Sequence, residues 1–110
     1  HGFGDQVIRA VAGRVHRCLR PYDQAFRYGG EEFVVILSQT GLGEAMQVAE
    51  RLRKRIRQRC SVDTTNGRVT VSIGVGEVRA DESIDRLFDR TDRALYQAKR
   101  DGRDRSLAAS

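Results

Sequence analysis

An α+β domain, layered from a mainly antiparallel sheet and three flanking helices, is what the sequence predicts. Three segments place apolar residues at helical intervals of three and four. The adjacent glycines Gly29-Gly30 separate two apolar runs, as a tight hairpin does. Asn66-Gly67 marks a second such turn, followed by a run that alternates apolar and polar. The 110 residues are expected to form one domain, with residues 105–110 as a tail.

The first helix runs from Gly4-Asp5 through Leu19, with Val7, Ile8, Val11, Ala12, Val15, Cys18 and Leu19 on one face. Asp5 stands where an N-cap would stand, and Pro21 stops the helix. Arg20-Pro21-Tyr22-Asp23 then forms a turn in which Arg20 and Asp23 are placed for a local ion pair. Phe26-Arg27-Tyr28 and Phe33–Leu37 are the two arms of a hairpin, joined by Gly29-Gly30 because a primed turn needs positive φ at both central positions. Glu31 and Glu32 would leave that turn on opposite faces of the returning strand.

Glu44–Arg59 is expected to be helical, with Ala45, Val48, Ala49, Leu52 and Ile56 inward and a basic opposite face. A hairpin over 61–78 follows, its second arm burying Val69, Val71, Ile73 and Val75, while Gly74 and Gly76 admit a close neighbour. The last helix starts from Asp81 or Ser83 and runs to Asp101, with Ile84, Leu87, Phe88, Ala94, Leu95 and Ala98 inward. Gly102 follows as the terminating glycine. Lys99 and Arg103 flank its end, where cations suit the negative pole of the helix dipole.

The net charge of +5 comes from 18 arginines and two lysines against 15 acids. Arginine's planar fork suits phosphates and guanine edges. A nucleic-acid platform does not fit, because the four Phe and three Tyr are not interleaved with the arginines and there is no Trp. Cys18 and Cys60 lack metal-ligand spacing and are read as reduced packing residues, as expected in a cytoplasmic protein. His1 and His16 show no zinc pattern. No apolar run is long enough to span a bilayer, so no direct membrane contact is expected.

The stretch Gly29-Gly30-Glu31-Glu32-Phe33 arises by chance in a chain this long about once in ten thousand. It resembles the defining motif of the GGDEF domain family in its Gly-Gly-Glu-Glu-Phe variant. His1-Gly2-Phe3-Gly4-Asp5, Ser72-Ile73-Gly74-Val75 and Ala94-Leu95-Tyr96-Gln97-Ala98-Lys99-Arg100-Asp101-Gly102-Arg103 resemble further segments of the same family. The resemblance implies a nucleotide-cyclase-like (ferredoxin-like) fold and the activity of a diguanylate cyclase, which condenses two GTP into cyclic di-GMP and releases pyrophosphate.

By that resemblance, Glu31 is the Mg²⁺ (or Mn²⁺) ligand, Glu32 assists at the site, and Gly29 and Gly30 make room for ribose and phosphates. Asp5 would read the guanine edge, and Lys99 and Arg103 would hold the leaving phosphates. Arg20 and Asp23, with Arg51 from the second helix, resemble the inhibitory site at which cyclic di-GMP binds back to the enzyme. The implied partners are GTP, cyclic di-GMP, a second copy of the domain and an upstream sensor domain, with no nucleic acid.

The family's first strand, with a metal-binding aspartate, and the helix leading to a guanine-holding asparagine are missing from these 110 residues. The resemblance therefore covers about the last two-thirds of the domain, and residues 1–110 by themselves are expected to make no cyclic di-GMP. Two other readings stand beside this one: a module that binds cyclic di-GMP without synthesising it, and a small basic nucleic-acid binder. The second would lose affinity steeply with salt and show no guanine preference.

Overall fold

The computed structural model describes residues 4–60 and 69–110. In chain order they form α1 (Asp5–Cys18), β1 (Gln24–Tyr28), β2 (Glu32–Ile36), α2 (Leu42–Arg59), β3 (Ile73–Val75), α3 (Ile84–Arg100) and β4 (Ser106–Ala108). The α+β class is as expected. β1 and β2 pair antiparallel, with Gln24 opposite Ile36, Phe26 opposite Val34 and Tyr28 opposite Glu32.

A parallel strand pair was not expected from the sequence. β3 pairs with β4 in parallel, Ile73 opposite Ser106 and Val75 opposite Ala108. The segment expected to be a tail is thus a strand. The Ile73 N–H donates to the Arg105 carbonyl at 3.0 Å, and the Ala109 N–H donates to the Val75 carbonyl at 2.7 Å. A parallel pair needs a long crossover, and α3 supplies it. Ser106-Leu107-Ala108 is too short and too small in side chain to carry a legible alternation. The expected turn at Asn66-Gly67, with the first arm of its hairpin, lies outside the described residues, and the second arm shortens to Ile73–Val75.

Every third or fourth residue of α1 and α2 is apolar, and those stripes face each other. Val7, Val11 and Val15 of α1 form one buried cluster with Leu52 and Ile56 of α2, Cys60 and Val69. Ala25, Phe33 and Val35 close the cluster from the hairpin. Ile56, 1% exposed, is the largest wholly buried side chain among the described residues, and such burial contributes about 2–3 kcal/mol. Cys60 lies in the same interior, and burial pushes its thiol up from its ordinary value. Both cysteines are free.

α3 packs on β3 through small residues. Ala94 and Ala98 are buried. A Cβ on Gly74 would lie 2.6 Å from the Leu95 backbone nitrogen and against the Thr91 carbonyl. Ile84 and Phe88, expected inward, are instead 66% and 41% exposed. Ile84 is the first residue of α3, and Phe88, at 100° per residue, lies on the margin of the stripe through Ala94 and Ala98, on the side of the β1–β2 hairpin. There the Tyr28 ring meets Phe88 with centroids 5.7 Å apart.

The helix ends follow local chemistry. The N-cap of α1 is Gly4, so Asp5 is the first helical residue rather than the cap. Its carboxylate still meets the positive end of the helix dipole. Ser83 caps α3, its Oγ accepting the Arg86 N–H at 3.2 Å. At the other end of α3, Gly102 takes φ +123°. The Arg103 N–H donates to Ala98 at 2.9 Å and the Gly102 N–H donates to Lys99 at 3.4 Å. This is the paired closure that a left-handed glycine permits.

Candidate functional site

The connection between β1 and β2 is three residues, Gly29-Gly30-Glu31, rather than the expected two. Gly29 has φ +76°, where a Cβ would be strained, whereas Gly30 has no such requirement. Nothing lies within 4 Å of where either glycine's Cβ would be, so the tip is bare backbone facing open space. The Arg27 guanidinium donates from Nε to the Gly30 carbonyl at 2.9 Å and from Nη2 to the same oxygen, bracing the turn. Glu31 therefore sits in the turn itself and is exposed, and Glu32 opens β2.

The far end of α3 comes to this tip. The Lys99 ammonium lies 3.9 Å from Glu32 Oε2, both side chains more than a third exposed. Such a pair adds little stability. Its meaning is positional: a cation at the negative pole of α3 faces the Glu32 carboxylate, next in the chain to Glu31. Arg103, exposed and with φ +63°, lies just beyond the same helix end. Asp5 is exposed at the start of α1.

Arg20 and Asp23 form a separate centre. Asp23 Oδ2 accepts from the Arg20 backbone N–H at 3.0 Å and from its Nε at 3.2 Å, and Asp23 Oδ1 accepts from the Ser38 N–H at 3.0 Å. The carboxylate is 2% exposed, against 40% for the Arg20 side chain. The Ser38 N–H, followed by the Arg20 groups, holds the Asp23 carboxyl below its usual range. Arg20 also donates to the Thr40 hydroxyl at 2.8 Å and lies 3.7 Å from Glu44. A cleft of about 560 Å³, lined by His16, Arg20, Asp23 and Phe26 among others, opens beside this turn. Arg51 is exposed on α2, two turns after Glu44 and so about 10 Å further along the same face. It does not line the cleft.

Sequence reasoning missed several contacts. The partners across the loop, Ser38 for Asp23 and Thr40 for Arg20, carry no pattern. Arg53 on α2 is held by Glu50 at 2.7 and 2.8 Å and itself donates to Asp104 Oδ1 at 2.8 Å. The Glu50–Arg53 spacing on a helix is readable as an ion pair, but the reach to Asp104 is not. A larger cleft of about 610 Å³ lies toward the other end of α3, between Arg79–Glu82 and Arg86–Arg93. There Arg90 is committed to Glu82 at 2.6 and 2.7 Å.

The donor set at the glycine turn is all oxygen, which suits Mg²⁺ or Mn²⁺ bound through one or two carboxylates and substrate phosphates. Among the described residues no group of three or more His, Cys, Asp or Glu gathers as a self-sufficient metal cage. Glu31 fits as a ligand completed by a nucleotide. Among the described residues no helix is long and apolar enough to cross a membrane.

Comparison with known proteins bears on the same residues. The model of the family described as "Diguanylate cyclase, GGDEF domain" matches residues 1–105. The chain is 48% identical over 109 residues to diguanylate cyclase DgcM of Escherichia coli, covering 99% of this chain and 26% of that protein. It thus spans about a quarter of that relative's length. Among solved structures it resembles the GGDEF domain of DgcB from Caulobacter crescentus, in complex with c-di-GMP, at 38% identity and TM-score 0.89, covering 99% of this chain and 66% of that one. It also resembles the active GGEEF domain of a diguanylate cyclase from Vibrio cholerae, at 31% identity and TM-score 0.90, covering all of this chain and 70% of that one.

Proposed function

The chain belongs to the GGDEF family, and from that premise we propose that it is part of a diguanylate cyclase domain that joins two GTP into cyclic di-GMP and releases pyrophosphate. The observation that carries the reading is the meeting of Lys99 with Glu32 at the bare Gly29-Gly30 turn, 3.9 Å apart. It gathers carboxylates, open backbone and a cation at one point, which is what a nucleotide triphosphate and its metal require.

In this reading two copies of the domain face each other, one GTP on each. The 3′-hydroxyl of one nucleotide attacks the α-phosphorus of the other, the bond from that phosphorus to the bridging oxygen breaks, and pyrophosphate leaves. Glu31 holds Mg²⁺ or Mn²⁺, which neutralises phosphate charge. Gly29 and Gly30 let ribose and phosphates approach, Asp5 pairs with the guanine N1–H and N2–H₂, and Glu32 assists beside Glu31. Lys99 and Arg103 stabilise the charge that builds on the leaving phosphates.

Arg20, with Asp23 behind it and Arg51 along α2, is the product-sensing centre. Arg20 is the residue a ligand meets, because Asp23 is turned inward onto Ser38. A cytoplasmic setting supplies the GTP and suits the two free cysteines. An upstream sensor domain would deliver the signal.

Glu31→Ala in the natural full-length protein is the test. Glu31 is exposed in a turn, so stability should change by no more than about 0.5 kcal/mol while cyclic di-GMP synthesis from GTP is lost. Turnover near that of the unsubstituted protein would remove Glu31 from the metal site. The module that binds cyclic di-GMP without making it is separated in the same assay, since the unsubstituted protein would then bind product and turn over no GTP.

A further inference from the structure

Arg103 is assigned to the leaving phosphates, yet it stands past the end of α3 in a conformation that residues with a Cβ avoid. Three successive residues there have positive φ: Gly102 at +123°, Arg103 at +63° and Asp104 at +47°. Glycine takes such values freely, whereas arginine does not, and aspartate tolerates them only moderately. The Arg103 N–H is tied to Ala98 and its carbonyl accepts from Arg105, while Asp104 is held from outside the loop.

The holder is α2. Arg53 Nη1 donates both to the Asp104 carboxylate at 2.8 Å and to the Asp104 carbonyl at 3.2 Å. One guanidinium thus grips the side chain and the peptide of the same residue. Arg57 adds a contact to the other carboxylate oxygen at 3.3 Å. Arg53 is itself fixed, because Glu50 takes its Nε and Nη2 in a fork at 2.8 and 2.7 Å, and its side chain is only 14% exposed. A bidentate pair of this kind sets orientation as well as energy.

We propose that Arg53, acting through Asp104, is a positioning residue that aims Arg103 at the leaving phosphates. The inference rests on the assignment of Arg103 made above. Once the clamp is released, the peptides on either side of Asp104 can relax toward ordinary φ, and the direction in which Arg103 leaves the chain changes with them.

The test is pyrophosphate binding by the natural full-length protein, measured by calorimetry with Mg²⁺ present, beside guanosine binding and the KM and kcat for GTP. Asp104→Ala is expected to weaken pyrophosphate about tenfold and to raise KM for GTP by a similar factor, with guanosine affinity within twofold. Asp104→Asn, which can still accept from Arg53 and tolerates positive φ, should recover most of the loss. Arg53→Lys, which keeps the charge and drops the fork, should fall between them and serves if Asp104→Ala does not fold. Unchanged pyrophosphate affinity in folded Asp104→Ala would overturn the proposal. So would equal weakening of pyrophosphate and guanosine, which would mean general loosening. No pyrophosphate binding by the unsubstituted protein would overturn the Arg103 assignment and the inference together. Pyrophosphate binding without turnover would overturn the cyclase reading and leave the clamp to be judged by the variants.

Discussion

Both oxygens of Asp23 are occupied inside the turn that follows α1, so this small side chain ties the Arg20 turn to the loop at Ser38. Replacing it would leave the Ser38 N–H and the Arg20 N–H without their acceptor. Asp23→Ala should therefore lower Tm more than Arg20→Ala, whose partners remain hydrated or paired without it. Equal losses in thermal melts at pH 7 would contradict this. For Arg20→Ala the expected change is in ligand binding, with cyclic di-GMP affinity down about tenfold or more, as for loss of a charge-assisted contact. Calorimetry reads it directly.

Glu50 makes a pH prediction at the same scale. The Arg53 fork lowers its carboxyl from 4.5 to about 2. A depressed acid contributes stability that is complete above its unfolded value and lost as pH falls through its folded one. Denaturant midpoints should fall between about pH 4.5 and pH 2, and Glu50→Gln should flatten that part of the profile. Because the Glu50 side chain is 36% exposed, solvent screening limits the effect to about 1 kcal/mol.

Two glycines in regular elements have opposite roles. Gly13 lies inside α1, and a Cβ there would meet nothing within 4 Å. Gly13→Ala should stabilise by about 0.5–1 kcal/mol, because alanine restricts the unfolded chain and favours the helix. Gly74 lies in β3, where α3 rests directly on the strand, and a Cβ would lie 2.6 Å from the Leu95 backbone nitrogen. Backbone cannot step aside as a side-chain tip can. Gly74→Ala should cost about 3 kcal/mol, with α3 displaced from β3. Urea titration of both variants checks the pair, and a neutral Gly74→Ala would mean that α3 is not seated as described.

Across the described residues, the two strand pairs are not hydrogen-bonded to each other. On the outer face of the hairpin Phe26 is 46%, Tyr28 54% and Ile36 49% exposed, and Phe88 of α3 is 41% exposed nearby. Clustered exposed apolar side chains of this kind are a surface that seeks cover. Purified residues 1–110 should self-associate through it, and Ile36→Lys should shift them toward monomer. The net charge of +5 opposes contact, and 0.15 M salt screens it beyond about 8 Å. Sedimentation at low and moderate salt should therefore show association rising with salt. A monomer at both would mean this face needs no cover.

What was legible in the sequence is what repeats or turns locally. α1, α2 and α3 announce themselves by periods of three and four, and the hairpin by Gly29-Gly30 between apolar arms. The Gly-Gly-Glu-Glu-Phe stretch, with the segment ending at Lys99 and Arg103, was enough to indicate the family. Even there, the turn length at Glu31 and the cap at Gly4 shifted by one residue, since neighbouring residues of similar propensity compete for such positions. Tertiary structure decided the rest. Nothing in Ser106-Leu107-Ala108 says that it pairs beside Ile73–Val75, because a parallel partner is chosen by where the crossover helix lands. The margin of α3 could not be assigned inward or outward without knowing that Gly74 and Gly76 draw the helix in on its small-residue side. The contacts of Lys99 with Glu32 and of Arg53 with Asp104 join residues far apart in the chain, and no period or spacing encodes a meeting that only the packed helices bring about.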